Sequence, residues 1–192
     1  LVSMRGAPRA SAMMGRGEKE EASRIMGNCF IMLLIVAVLL TIFFRQYAEP
    51  LLLVFGASEN TIGLAMDYMR IYTLGTIFVQ LALGMNAFIT AQGFAKTSML
   101  TVMIGAACNI VLDPIFIFGL HMGVKGAALA TILSQAVSAV WVILFLRGEK
   151  TTLKLEPRYF GLRLSTVWPC LLLGLSPFIM QATESAISVC FN

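Results

Sequence analysis

Two acidic side chains lie deep inside apolar stretches of the sequence, Asp113 and Glu184; the other eight of its ten acids fall in polar segments or at the ends of apolar ones. An ionised carboxylate at bilayer depth costs at least ~2.5 kcal/mol on insertion scales, and loss of hydration raises a carboxyl pKa. Such a group must face a bundle interior or a watery cavity, where it can load and release a proton as its access to water changes. The plainer alternative is a helix–helix hydrogen bond with no further role. Asp113 has neighbours that favour chemistry. Asn109 stands four residues before it, on the same helical face. Pro114 follows it, and its missing N–H frees a carbonyl one turn earlier. An amide, a carboxyl and a loose carbonyl can together hold a proton network or a bare cation such as Na⁺.

Further along, Ala127, Thr131, Gln135 and Ala139 recur every four residues, so Thr131 and Gln135 offer polar groups along one face, toward Asp113. Beside them Gly126, Ala130, Ser134 and Ser138 form a small-residue stripe that permits close backbone approach in lipid. An earlier stripe, Tyr68, Tyr72, Thr76, Gln80 and Gly84, is followed by Asn86 and Thr90. Several polar side chains in apolar surroundings argue for a lined cavity, although packing explains many of them equally well. His121 is the sole histidine and the four cysteines form no C-x-x-C pair, so the pattern offers no metal centre. No phosphate loop and no nucleophile–base set occurs, and an enzyme is not expected.

The elements that position these residues follow from composition. Apolar residues make up 58% of the 192 and charged residues 12%, against roughly 25% charged in soluble domains. Five apolar stretches reach or approach the ~20 residues that cross a bilayer. The expected fold is all-α, a polytopic membrane helical bundle. Residues 1–24 read as a loop with the end of a preceding helix, 25–146 as four crossings near 25–44, 67–90, 98–120 and 124–146, 147–165 as a polar linker, and 166–192 as a fifth crossing. Eleven of the fourteen Lys and Arg lie before the first crossing, between the second and third, or between the fourth and fifth. The positive-inside rule puts 1–24, 91–97 and 147–165 in the cytoplasm. The net charge of +4 is therefore topological, and nucleic acid is not an expected partner. An opening Leu1 and an apolar close at Asn192 suggest a segment of a longer chain.

The run Asn109-Ile-Val-Leu-Asp-Pro-Ile-Phe-Ile-Phe-Gly119, followed by Gly123-Val-Lys-Gly-Ala-Ala-Leu-Ala-Thr131, resembles the multidrug and toxic compound extrusion (MATE) family. Gly15-Arg-Gly-Glu-Lys-Glu-Glu-Ala22 resembles the loop after that family's second helix, and Asn86-Ala-Phe-Ile-Thr-Ala-Gln-Gly93 with Lys96 resembles the end of its fourth. The resemblance implies part of a twelve-helix transporter: helices three to six of the N-lobe, the interlobe linker and the first C-lobe helix. It implies export of cationic or amphipathic drug-like compounds across the inner membrane in exchange for H⁺ or Na⁺, with no other cofactor. The partners it implies are those substrates, lipid and the remainder of the same transporter chain. By the resemblance Asn109, Asp113 and Thr131 match a cation-coupling network. Glu184, after Gly174-Leu175, is the candidate in a second branch of the family. Tyr68 and Asn86 would line the substrate cleft, joined by Gln80 and Gln135 from the polar stripes.

Two other functions fit a membrane bundle. A lipid-linked oligosaccharide flippase of the same superfamily would need a strongly cationic cleft, and these crossings carry almost no Lys or Arg away from their ends. A scaffold subunit would explain the small-residue stripes but not an Asp beside Asn and Pro at mid-span.

Overall fold

The computed structural model describes residues 2–54 and 60–160, together with Ile179 and Thr183. Helices dominate, and no strand occurs among the described residues. They are α1 (Val2–Gly15), α2 (Lys19–Val54), α3 (Ile62–Leu74), α4 (Thr76–Ala91), α5 (Ala95–Pro114) and α6 (Val124–Arg147). A π-turn, Ile115–Gly119, extends α5, and a short 3₁₀ turn spans Pro157–Tyr159. Among the described residues three helices are long and apolar enough to cross a bilayer, and α3 with α4, bent by 53° at Gly75, has the length and composition of a fourth, broken span or of a re-entrant loop. The chain is a multi-pass membrane protein.

Helices occupy each of the four stretches expected near 25–44, 67–90, 98–120 and 124–146, with three differences. First, the loop expected within 1–24 is confined to a turn around Gly17; the helix before it is longer than the charges suggest and is packed into the bundle. Ser3, Gly6, Ala7 and Ala10 of α1 are buried, and a Cβ on Gly6 would come within 2.5 Å of Cys29 Sγ. Small side chains, not hydropathy, carry this contact, so the apolar pattern understates it. Second, α2 continues beyond residue 44, where the sequence reading ends the first crossing, through Glu49 and Pro50 to Val54. A non-helical Tyr47 (φ −111°, ψ 18°) breaks the helix. Pro50 then falls in the first turn of the restarted segment, where its missing N–H costs little. Third, the second crossing is broken at Gly75. The side chain of Ile132 from α6 lies where a Cβ on Gly75 would be, and Thr41 Oγ1 from α2 donates to the Thr73 carbonyl at 3.0 Å. A small residue lets α6 in, and a neighbouring hydroxyl satisfies a carbonyl at the break, as backbone in lipid requires.

The core gathers at one end of the bundle. Ile25, Met26, Cys29 and Leu33 of α2 meet Met85, Phe88 and Ile89 of α4 and Val142 and Leu146 of α6. The linker joins them: Leu153 and Leu155 are buried in the same cluster. Gln92 Oε1 accepts hydrogen bonds from Thr151 Oγ1 at 2.7 Å and from Leu153 N at 2.8 Å, and Leu155 N donates to the Leu146 carbonyl at 2.9 Å. The turn after α1, the turn after α4 and the linker thus share one end, as the charge pattern requires. At the other end Lys125, opening α6, pairs with Asp67 of α3 at 3.2 Å. The outer faces are apolar: Leu39 of α2 is 60% exposed and Ile110 of α5 is 72% exposed. The fifth crossing expected over 166–192 lies outside the described residues apart from Ile179 and Thr183.

Candidate functional site: a polar cleft between three helices

A cleft of about 220 Å³ opens between α4, α5 and α6. Asn86 enters it from α4; Thr101, Gly105 and Asn109 from α5; Thr131, Ser134, Gln135 and Ser138 from α6. The approach of α5 to α6 depends on the small-residue stripe. A Cβ on Gly105 would lie 2.5 Å from Ser138 Oγ, and Ser138 Oγ donates across the interface to the Thr101 carbonyl at 3.3 Å. Ser134 and Ser138 are buried, as are Gly126 and Ala130.

Most polar groups of the cleft are already engaged. Thr131 Oγ1 donates to its own helix at the Ala127 carbonyl, 2.9 Å away. Ser134 Oγ donates to the Thr131 carbonyl at 2.8 Å. Asn86 Nδ2 donates to the Ser98 carbonyl at 3.2 Å, while Thr90 Oγ1 lies 2.7 Å from Ser98 Oγ. Three atoms near the cleft remain without partners among the described residues: Asn86 Oδ1, Asn109 Nδ2 and Asp113 Oδ1, each buried. A buried polar atom left unsatisfied costs about 1–3 kcal/mol, so the two on one face of α5, Asn109 Nδ2 and Asp113 Oδ1, need an explanation. Asn109 and Asp113 lie one turn apart on the same face of α5. Asp113 ends that face, immediately before Pro114 and the π-turn. The helical hydrogen-bond ladder thus changes register next to the half-buried acid, a feature often found at functional sites.

The residues expected from the sequence separate into groups. Asn109, Thr131, Asn86 and Gln135 line one cleft. Asp113 adjoins it but is not among the lining residues, and no hydrogen bond joins Asn109, Asp113 and Thr131. Tyr68 lies on α3, stacked on Tyr72 with ring centroids 5.6 Å apart, away from the cleft lining. Gln80, half-buried on α4, is also outside it. Glu184 falls outside the described residues. The cleft also contains residues that the sequence reading did not single out. Thr101 and Gly105 stand four and eight residues before Asn109, so the row 101, 105, 109, 113 was available as a signal.

A polar cleft between the helices and a half-buried acid beside it place the chain among polytopic membrane bundles with a polar interior rather than among lipid-facing anchors. The sequence model of the MatE family matches residues 2–115. The chain belongs to this family, the MATE transporters. The chain is 26% identical over all 192 residues to the multidrug export protein MepA of Staphylococcus haemolyticus (strain JCSC1435), of which it covers 42%. Among solved structures, a MATE protein in the bent conformation superposes with a TM-score of 0.90 at 28% identity, covering 96% of this chain and 42% of that one. The inward-facing conformation of a multidrug resistance MATE family transporter of the MOP superfamily gives 0.83 at 30% identity, covering 91% and 40%. The chain thus spans about two fifths of the length of these relatives.

Proposed function

We propose that this chain forms part of a multidrug efflux antiporter that exports cationic or amphipathic compounds in exchange for H⁺ or Na⁺. The observation that carries the proposal is the pair Asn109 Nδ2 and Asp113 Oδ1, adjacent, buried and unpartnered beside a polar cleft. Names of relatives that denote multidrug export support the substrate class. In this reading substrate enters while Asp113 is ionised. Proton or Na⁺ loading from outside neutralises the site, rearranges the helix at Pro114 and the π-turn, and releases substrate outward. Asn86 and Gln135 face the substrate; Thr131 contributes once its hydroxyl leaves the Ala127 carbonyl. Tyr68 and Gln80 act from outside the present cleft, and Glu184 is the candidate acid of the fifth crossing. The rest of the transporter chain supplies the other half of the cleft, and the basic segments 1–24, 91–97 and 147–165 face the cytoplasm of a cell whose inner membrane holds the protein.

The test is efflux of a cationic dye from cells lacking their own exporters and expressing the transporter that contains this segment. Asp113→Asn should abolish dye export driven by an ion gradient while membrane insertion, measured by immunoblot, stays normal. Undiminished export by that variant overturns the proposal.

A further inference from the structure

At the end of the bundle opposite the Asp67–Lys125 pair, the first turn of α2 and the linker flank a second, open cavity of about 290 Å³. Its walls carry Lys19, Glu20 and Ser23 from α2, and Lys154, Glu156 and Arg158 from the linker. The charges do not cancel. Glu20 is paired with Arg24 at 2.8 Å, and Glu156 with Arg158 at 2.6 Å. Lys19 and Lys154 have no acidic partner among the described residues. Ser23 is only 7% exposed, yet it lines the cavity, and its hydroxyl has no hydrogen-bond partner among the described residues. Two exposed ammonium groups without an acidic partner among the described residues and the unused hydroxyl of an otherwise buried serine are donors that suit a phosphate.

The position indicates which phosphate. The membrane-crossing helix α2 begins at Lys19, so the cavity sits at the level of lipid headgroups. Aromatic rings mark the same boundary. Arg158 lies 4.6 Å over the Tyr159 ring, and Phe160 stacks on Phe30 with centroids 5.1 Å apart. The Tyr159 carbonyl fits against Gly27, where a Cβ would lie only 2.6 Å away. These contacts fix the wall that holds Lys154. Basic pockets between crossings bind anionic headgroups. We infer that this cavity binds the phosphate of an anionic phospholipid, with Lys19, Lys154 and Ser23 as its contacts. Binding there would tie the linker to the bilayer rim. The site is distinct from the Asp113 cleft and does not depend on what is transported.

The experiment is native mass spectrometry of the purified protein titrated with dioleoyl phosphatidylglycerol, dioleoyl phosphatidylcholine or inorganic phosphate. Phosphatidylglycerol should bind the unmodified protein in preference to phosphatidylcholine, and millimolar phosphate should not displace it. Removing both charges with K19Q/K154Q should weaken phosphatidylglycerol at least about tenfold. K19R/K154R should retain it, S23A should reduce it, and K96Q, at the same end but outside the cavity, should leave it unchanged. Equal binding of the two lipids, equal loss in K96Q, or undiminished binding by K19Q/K154Q each overturns the inference. Loss in the arginine variant as large as in the glutamine one does so too, because charge would then not be the cause. Displacement by millimolar phosphate overturns the lipid source.

Discussion

Asn109 presents a conflict between stability and use. Its Nδ2 is buried and makes no hydrogen bond among the described residues. An amide retained for structure would be satisfied, since buried polar groups generally are. Replacing it with an apolar residue of similar size removes a desolvation cost of about 1–3 kcal/mol. Asn109→Leu should therefore melt at the same or a higher temperature than the parent while dye export falls at least tenfold. Differential scanning fluorimetry in detergent and whole-cell efflux measure the two quantities. A variant that loses stability and keeps transport would show the amide to be packing glue. Asp113 stood out in the sequence because an acid inside an apolar stretch is rare, and Asn109 because helical spacing puts it on the same face. The partners of Thr131 could not be read this way. A hydroxyl can turn to its own helix, as this one does to Ala127, and sequence spacing does not record rotamers.

Contacts between elements rest on small residues more than on apolar bulk. Lipid chains are as apolar as leucine, so helix association in a membrane relies on close packing and interhelical hydrogen bonds. The α5–α6 contact shows both, with Gly105 against Ser138 and the Ser138–Thr101 hydrogen bond. Gly105→Val should push the helices apart and cost about 1–3 kcal/mol, the usual penalty of overpacking. Adding Ser138→Ala should recover part of that loss, because it removes the hydroxyl that the new side chain meets. Urea or thermal melts of the single and double variants form a cycle, and strict additivity would show that the two positions do not touch. The stripe Gly126, Ala130, Ser134, Ser138 was legible because it repeats every four residues, and all four are buried. The bend at Gly75 was not. A glycine within an apolar run is common in crossings, and only the approach of Ile132 and the Thr41 hydroxyl identifies this one as a break. The α1 helix was obscured for a related reason: Arg5, Pro8 and Arg9 lower its hydropathy while small residues make its contacts.

For the whole molecule, charge and packing describe the same asymmetry. One end collects the turn at Gly17, the turn at Gly93 and the linker, clamped by Gln92 and by the burial of Leu153 and Leu155. The opposite end carries Asp67 and Lys125. The count of basic residues makes the cytoplasm the expected side for the first end, and every described segment at that end shares its side. Single cysteines can check this after the four native ones are replaced. Glu149→Cys is exposed in the turn after α6, and Gly63→Cys is exposed at the start of α3 with open space where a Cβ would sit. A membrane-impermeant maleimide should label Gly63→Cys but not Glu149→Cys in intact cells, and the reverse in inverted vesicles. Labelling of both from one side would break the antiparallel order of the crossings, and labelling with the sides exchanged would reverse the orientation. In the exchanged case Asp113, which ends α5 toward the Lys125 side, would load its cation from the cytoplasm, and the direction proposed for export would have to be reversed with it.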